Sequence, residues 1–275
     1  MSINQPSSMY IDELCTRAKS AVRIAANLST GDKNNILMAI ARDLRKNRNV
    51  IISENRKDLE NAKKLGVSNA FYDRLMLDDK RIDGIASSVE EIANFPDPVG
   101  RIENMKIVPS GIRVGQMRIP LGVVAVIYES RPNVTVDIAA LCIKSGNVAI
   151  LRGGEEAVHS NLAFAEIIRN AIKASGHPEN IVNLMENLDR DLVPVLLKKD
   201  KDIDIVIPRG GEGLISMVTR ESTIPVLKHE KGICHVFIDE SAVKDTAEKI
   251  TINAKVQRPS ACNAAETLLI HEKYP

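Results

Sequence analysis

The sequence predicts an α/β protein: a parallel sheet covered by helices on both faces, preceded by a helical region. Three observations carry that reading. From residue 122 onward, short apolar runs alternate with longer segments of helical periodicity. Residues 7–95 read almost entirely as helix. The breaker cluster Phe95-Pro96-Asp97-Pro98 separates the two patterns.

In chain order, Ser7 or Ser8 caps a first helix reaching about Asn27. Thr30 caps a second, in which Ile36, Ile40 and Leu44 recur at helical spacing. A third carries Asp58, Glu60, Lys63 and Lys64, which read as a solvated face, and Gly66 ends it. Residues 107–119 alternate around Ser110-Gly111 and predict a hairpin or extended arm. Residues 122–129 then form a buried strand, 135–146 a helix, 147–152 a strand and 155–176 a long amphipathic helix. Strands follow at 181–186 and 202–208, with helices at 188–200 and 211–221. Residues 223–228 and 233–239 read as strands, 242–256 as a helix and 266–272 as a last strand.

Composition narrows the function. The 275 residues suit one or two domains at ~100–200 residues each. Lys and Arg number 37 against 36 Asp and Glu, so the net charge is +1, with no basic excess to neutralise nucleic-acid phosphates. Aromatics are 3% and Trp is absent, which removes base-stacking platforms. With 44% hydrophobic residues the chain can bury a core, and disorder is excluded. No run approaches the ~18 apolar residues of a membrane span, and residues 1–15 hold no secretory signal. The four cysteines, Cys15, Cys142, Cys234 and Cys262, are far apart and form no CxxC pair. No zinc site or disulfide framework is expected, no metal is assigned, and a reducing cytoplasm fits best.

Ligands of open α/β sheets sit beyond the carboxyl ends of the strands. Three such ends are unusual: Tyr128-Glu129-Ser130-Arg131-Pro132-Asn133, Arg152-Gly153-Gly154-Glu155-Glu156 and Pro208-Arg209-Gly210-Gly211-Glu212-Gly213. Taken singly, each glycine pair is weak evidence and reads first as a plain tight turn. Together with the arginines they favour a nucleotide or phosphate, because glycine admits close backbone approach and helix N-termini present free N–H groups. Neither a GxGxxG fingerprint nor a Walker lysine is present.

Cys262 falls on a loop after the helix-breaking Pro259, beside Arg258 and Ser260. Such an electropositive, accessible setting lowers a thiol pKa. Cys15 and Cys142, among apolar helix neighbours, and Cys234, in a strand, read as core.

Six segments in order, IYESRPNVTVD (127–137), GNVAILRGG (146–154), IPRGGEGL (207–214), STIPV (222–226), GICHVFID (232–239) and NAKVQRPSACNAAETLL (253–269), closely resemble the gamma-glutamyl phosphate reductases (glutamate-5-semialdehyde dehydrogenases) of the aldehyde dehydrogenase superfamily. The resemblance implies an aldehyde-dehydrogenase-like fold. Residues 1–99 would be the helical N-terminal part of the nucleotide-binding domain, and 100–120 an oligomerisation arm. A Rossmann-type NADPH-binding domain would span 121–231, and 232–275 would start a second α/β catalytic domain.

The resemblance further implies NADPH-dependent reduction of L-glutamyl 5-phosphate to L-glutamate 5-semialdehyde and phosphate, the second step of proline biosynthesis. Cys262 matches the nucleophile that forms a thioacyl enzyme. The Cys262 backbone N–H and the Asn133 amide resemble the oxyanion hole, and Glu230, loosely at the general-base position of oxidising relatives, is expected to be non-essential. Arg152, Gly153 and Gly154 match the strand end that meets the adenosine ribose, with Arg152 facing the 2′-phosphate. Gly210, Gly211 and Gly213 match the turn beside the pyrophosphate. Arg258 and Ser260, by proximity alone, are expected to bind substrate phosphate. A homo-oligomer and a functional link to glutamate 5-kinase are further implications. Family members continue well past Tyr274-Pro275, so a fragment is expected, inactive by itself. The alternatives are a CoA-acylating aldehyde dehydrogenase and an inactive nucleotide-binding module.

Overall fold

The computed structural model describes residues 5–129, 131–228, 232–259, 261 and 263–274. The chain divides into two compact units, Met1–Lys228 and His229–Pro275. The first opens with α1 (Gln5–Ala26), α2 (Thr30–Lys46), α3 (Arg48–Lys64), α4 (Asn69–Leu75) and α5 (Asp79–Asn94). Ser29, not Thr30, caps α2: Asp32 N–H donates to Ser29 Oγ at 3.1 Å, and Ser29 N–H donates to Asp32 Oδ2 at 3.1 Å. The Thr30 hydroxyl donates instead to Asp97 at 2.8 Å. Ile36, Leu37, Ile40, Ala41 and Leu44 bury one face of α2. The last two helices, not separated in the sequence reading, start at their own caps. Ser68 accepts the Phe71 N–H and Asp78 the Arg81 N–H.

A hairpin follows, with β1 (Ile102–Ile107) antiparallel to β2 (Arg113–Met117). The turn lies where Ser110-Gly111 predicts it: Gly111, at φ +84°, donates its N–H to Val108 O at 2.8 Å. The first strand begins five residues earlier than expected, at 102 rather than 107. A bulge between Glu103 and Lys106, with Asn104 at φ +55°, breaks the alternation that would have revealed it. Ile102, Met105, Ile107, Val114 and Met117 are all exposed on this hairpin.

The main sheet contains β3 (Val123–Tyr128), β4 (Val148–Arg152), β5 (Val182–Leu184) and β6 (Ile205–Arg209), all parallel, in the order β5-β4-β3-β6. It alternates with α6 (Asn133–Lys144), α7 (Val158–Ala174), α8 (Leu192–Leu196) and α9 (Glu212–Glu221). All six residues of the central β3 are buried, which explains its continuous apolar run. The order reverses direction between β3 and β6, the topological switch point of a Rossmann-type half.

Three expectations change. The helix predicted at 188–200 shrinks to the five residues of α8. Asn187 and Asp189 side chains accept the N–H groups of Asp189 and Asp191, holding turns that compete with helix, and Pro194 sits in the first helical turn. The strand predicted at 223–228 is a single parallel bridge, Val226 to Val206, beside Pro225, which has no N–H to give a ladder. The solvated face of α3 is not uniform, because Asp58 is 1% exposed. Its carboxylate accepts the His159 N–H at 3.1 Å, the Ser160 N–H at 2.9 Å and the Ser160 hydroxyl at 2.6 Å, capping α7.

In the second unit, β7 (Cys234–Ile238) and β8 (Ala265–Ile270) pair in parallel, with α10 (Lys244–Val256) between them in sequence. These spans match the predicted elements within two residues. Among the described residues no helix is long and apolar enough to cross a membrane.

Candidate active site

The carboxyl ends of β3, β4 and β6 open on a cleft of about 830 Å³. Its charged rim includes Arg152 and Glu155 from the β4–α7 crossover, Arg190 before α8 and Lys64 from α3. Leu214, Met217 and Val193 form part of its apolar wall. That mixture suits a ligand with one flat apolar face and an anionic chain.

The switch point is held by one backbone bond and one bond to a carboxylate. Glu129 N–H donates to Arg209 O at 3.1 Å, and Gly211 N–H donates to Glu129 Oε2 at 2.9 Å. A Cβ at Gly210 would lie 2.5 Å from that carboxylate oxygen and 2.9 Å from Leu214 Cδ2, so a larger residue there would displace the Glu129 carboxylate and the tip of Leu214 from their present positions. At Gly213 a Cβ would meet nothing within 4 Å, because that residue borders the open cleft.

Around β4, a Cβ at Gly153 would overlap the Asn161 amide and crowd the Tyr128 ring, and one at Gly154 would overlap the Glu156 carboxylate. Tyr128 OH lies 2.6 Å from Thr135 Oγ1, whose hydroxyl donates to Asn161 Oδ1 at 2.8 Å. Thr135 gives its single proton to Asn161, so Tyr128 is the donor to Thr135. Burial pushes the Tyr128 phenol well above its ordinary value, and it stays protonated. This buried relay ties β3, α6 and α7 together directly beneath the Gly153 turn.

Arg152 ends β4, half-buried, with Nη2 donating to Leu188 O at 3.1 Å. Its Nε is buried without a hydrogen-bond partner. Burial lowers its pKa, opposed by Glu155 and Glu156, while Arg190 lowers it further. A guanidinium stays charged under such a shift, so Arg152 lines the cleft with one buried donor unmet. An orphaned arginine N–H, a helix N-terminus and a glycine-lined approach fit the phosphates of a dinucleotide.

Asn133 begins α6, half-buried, and its Nδ2 donates to Asp137 Oδ2 at 2.9 Å. Burial raises the Asp137 pKa. Asn133 does not line the cleft beside Arg152. Arg258 is exposed just past α10. Cys262, Ser260 and Glu230 lie outside the described residues. Cys15 and Cys142 are buried, as expected, and burial pushes both thiols up to about 12. Cys234 is only half-buried on β7, a correction to its core assignment: it shares the more covered face with Val236 and Ile238, a face itself covered only in part.

Sequence reasoning missed Lys64 and Asn61 on the cleft wall, Leu188 as partner of Arg152, and Arg190. In the sequence Lys64 reads as ordinary helix surface, and helical spacing carries no signal that distinguishes it. The Asn187–Asp191 run of turn-forming side chains was the available clue to the other two.

The chain matches the profile of the aldehyde dehydrogenase family over residues 1–274. It is 52% identical over 262 residues to the gamma-glutamyl phosphate reductase of Geobacter metallireducens, covering 95% of this chain and 63% of that protein. The crystal structure of the Thermotoga maritima gamma-glutamyl phosphate reductase superposes with a TM-score of 0.89 at 43% identity, over 96% of this chain and 64% of that one. The Saccharomyces cerevisiae gamma-glutamyl phosphate reductase gives 0.73 at 35% identity, over 96% and 66%. The chain thus spans about three-fifths of the length of the curated relatives it matches. These matches bear out the resemblance read from the six motifs. With its parallel sheet, its switch-point cleft and a family match along residues 1–274, the chain belongs to the aldehyde dehydrogenase family.

Proposed function

We propose that the protein reduces L-glutamyl 5-phosphate with NADPH, releasing L-glutamate 5-semialdehyde and phosphate, in proline biosynthesis from glutamate. The observation that carries this reading is the 52% identity to a gamma-glutamyl phosphate reductase, joined to a switch-point cleft with dinucleotide chemistry. Residues 1–99 and 121–231 make the cofactor half, and 232–275 begin the catalytic half. Bound NADPH supplies the hydride. Gly210, Gly211 and Gly213 would hold its pyrophosphate at the N-terminus of α9. Gly153, Gly154 and Arg152 would hold its adenosine ribose, with Arg152 supplying positive charge for the 2′-phosphate.

Cys262 attacks as the thiolate. Its sulfur bonds to the acyl-phosphate carbonyl carbon, the carbon–oxygen bond to phosphate breaks, and the phosphate departs with the electron pair. The Cys262 N–H and the Asn133 amide steady the tetrahedral oxyanion; loss of one such donor costs about 3 kcal/mol. Asn133 has two amide protons, so the bond to Asp137 leaves one to donate. Arg258 and Ser260 receive the leaving phosphate. Hydride addition gives a thiohemiacetal on Cys262, whose carbon–sulfur bond breaks to release the aldehyde and restore the thiol. No hydrolysis occurs, so Glu230 is dispensable.

The exposed apolar residues of the 100–120 hairpin support its role as an arm that pairs with a second copy, in a soluble cytoplasmic homo-oligomer linked to glutamate 5-kinase. The complete-length protein, offered glutamyl phosphate or acyl-CoA thioesters, is expected to oxidise NADPH with the acyl phosphate alone. Turnover of the CoA thioester alone would replace this reading with an acylating dehydrogenase, and dinucleotide binding without any turnover would support a binding module.

A further inference from the structure

The rim of the cleft holds two arginines with complementary commitments. Arg152 is half-buried, tethered to Leu188 O through Nη2, and its Nε has no partner. Arg190 lies two residues beyond Leu188 and lines the same cleft. Its side chain is 85% exposed, and its nearest counter-charge is Glu155, with Nε 3.4 Å from Oε1. That separation exceeds a good N–H···O distance of ~2.7–3.2 Å. A pair so exposed is worth little and is readily exchanged for a stronger anion.

The segment presenting Arg190 is well fixed. The Tyr10 hydroxyl accepts the N–H groups of Glu186 and Asn187 at 2.9 and 3.2 Å. Arg169 pairs with Glu186 at 3.0 Å. Asn187 and Asp189 accept the next N–H groups but one, and the Arg152–Leu188 bond joins this segment to the end of β4. Arg190 is therefore held at the rim, close enough to Arg152 for their like charges to interact unfavourably. Two guanidiniums in that relation gain most from a dianion placed between them.

We infer that Arg190 completes a two-arginine clamp with Arg152 for the 2′-phosphate on the adenosine ribose, and that Arg190 sets the preference for NADPH over NADH. The inference rests on the dinucleotide reading above and deepens it. Arg152 supplies the buried, fixed half, and Arg190 the exposed half that leaves Glu155 when the phosphate arrives. A 2′-hydroxyl carries no charge to draw Arg190 from Glu155, so NADH gains nothing from it. Lysine has one point of positive charge and no planar fork, so it is a partial substitute.

The test titrates NADPH and NADH separately into the 275-residue chain and into Arg190→Gln and Arg190→Lys, following binding by calorimetry and folding by circular dichroism. Arg190→Gln is expected to weaken NADPH about tenfold, equivalent to about 1.4 kcal/mol, and NADH less than twofold. Arg190→Lys should fall between, and the salt dependence of NADPH affinity should flatten in Arg190→Gln. An unchanged NADPH-to-NADH ratio in a folded Arg190→Gln protein would overturn the clamp and leave dinucleotide binding standing. Failure of the unsubstituted chain to bind either dinucleotide would overturn the dinucleotide reading, and the clamp with it.

Discussion

Asp58 on α3 caps α7 through Ser160, accepting both its N–H at 2.9 Å and its hydroxyl at 2.6 Å. The helix so capped follows the Arg152-Gly153-Gly154 crossover, so a carboxylate from the N-terminal helices braces the edge of the cleft. Asn55, also on α3 and buried, donates to Ser160 Oγ at 3.0 Å and to Leu75 O at 2.9 Å, and accepts the Leu77 N–H at 2.8 Å. The N-terminal helices are thereby wired into the sheet unit by satisfied buried polar groups.

Replacing Asp58 by Ala should destabilise the first unit by about 3 kcal/mol, combining a lost cap with stranded buried N–H and O–H donors. At this size that is a fall in Tm of roughly 6–12 °C. Thermal unfolding followed by circular dichroism checks it. A shift under about 2 °C would show that water replaces the carboxylate without penalty.

Acid sensitivity should trace in part to Asp97. Burial pushes its carboxyl up, but the Val99 N–H, the Lys33 ammonium and the Thr30 hydroxyl together hold it below the ordinary value of 3.8. Its folded pKa is thus depressed, so its stabilising contribution is present above the unfolded value and lost as pH falls through the folded one. Asp58 works in the opposite direction. Its pKa is raised by burial, so folding binds that proton more tightly and stability falls as pH rises from 3.8 to the folded value. Asp97→Asn should lower stability at neutral pH and flatten the loss below about pH 4, read from urea unfolding against pH. An acid limb identical to that of the unsubstituted chain would contradict the assignment.

Gly213→Ala should separate stability from binding. The residue is the second of α9 with open space where a Cβ would go, so alanine should add about 0.5 kcal/mol of helix stability, less than at an interior position. The same methyl enters the cleft at the N-terminus of α9, and NADPH affinity should fall severalfold. Unchanged affinity with raised Tm would place the dinucleotide elsewhere.

Much of the sheet is legible in the sequence, because β3 and β4 are apolar runs buried on both faces and bounded by Gly122, Gly146 and Gly153. The short α8 was not, since its apolar periodicity extends into residues whose side chains cap turns instead. Asp58 looked like surface because a charge buried by a distant helix leaves no mark on local spacing. At the site, Gly153, Gly154, Gly210 and Gly211 are visible as turns, and the overlap a Cβ would make with the buried Asn161 amide gives Gly153 a steric reason. The wall contributed by Asn61 and Lys64, and the Leu188 carbonyl holding Arg152, arise from tertiary packing that no motif encodes.

The covalent step can be observed on the complete-length protein, with glutamyl phosphate generated in place and Cys262→Ser as comparison. Mass spectrometry before NADPH addition should find a glutamyl adduct on Cys262, which NADPH then discharges as aldehyde. Cys262→Ser should bind NADPH normally, carry no such adduct and form no aldehyde. Undiminished aldehyde formation by Cys262→Ser, or turnover that never loads Cys262, would contradict the account.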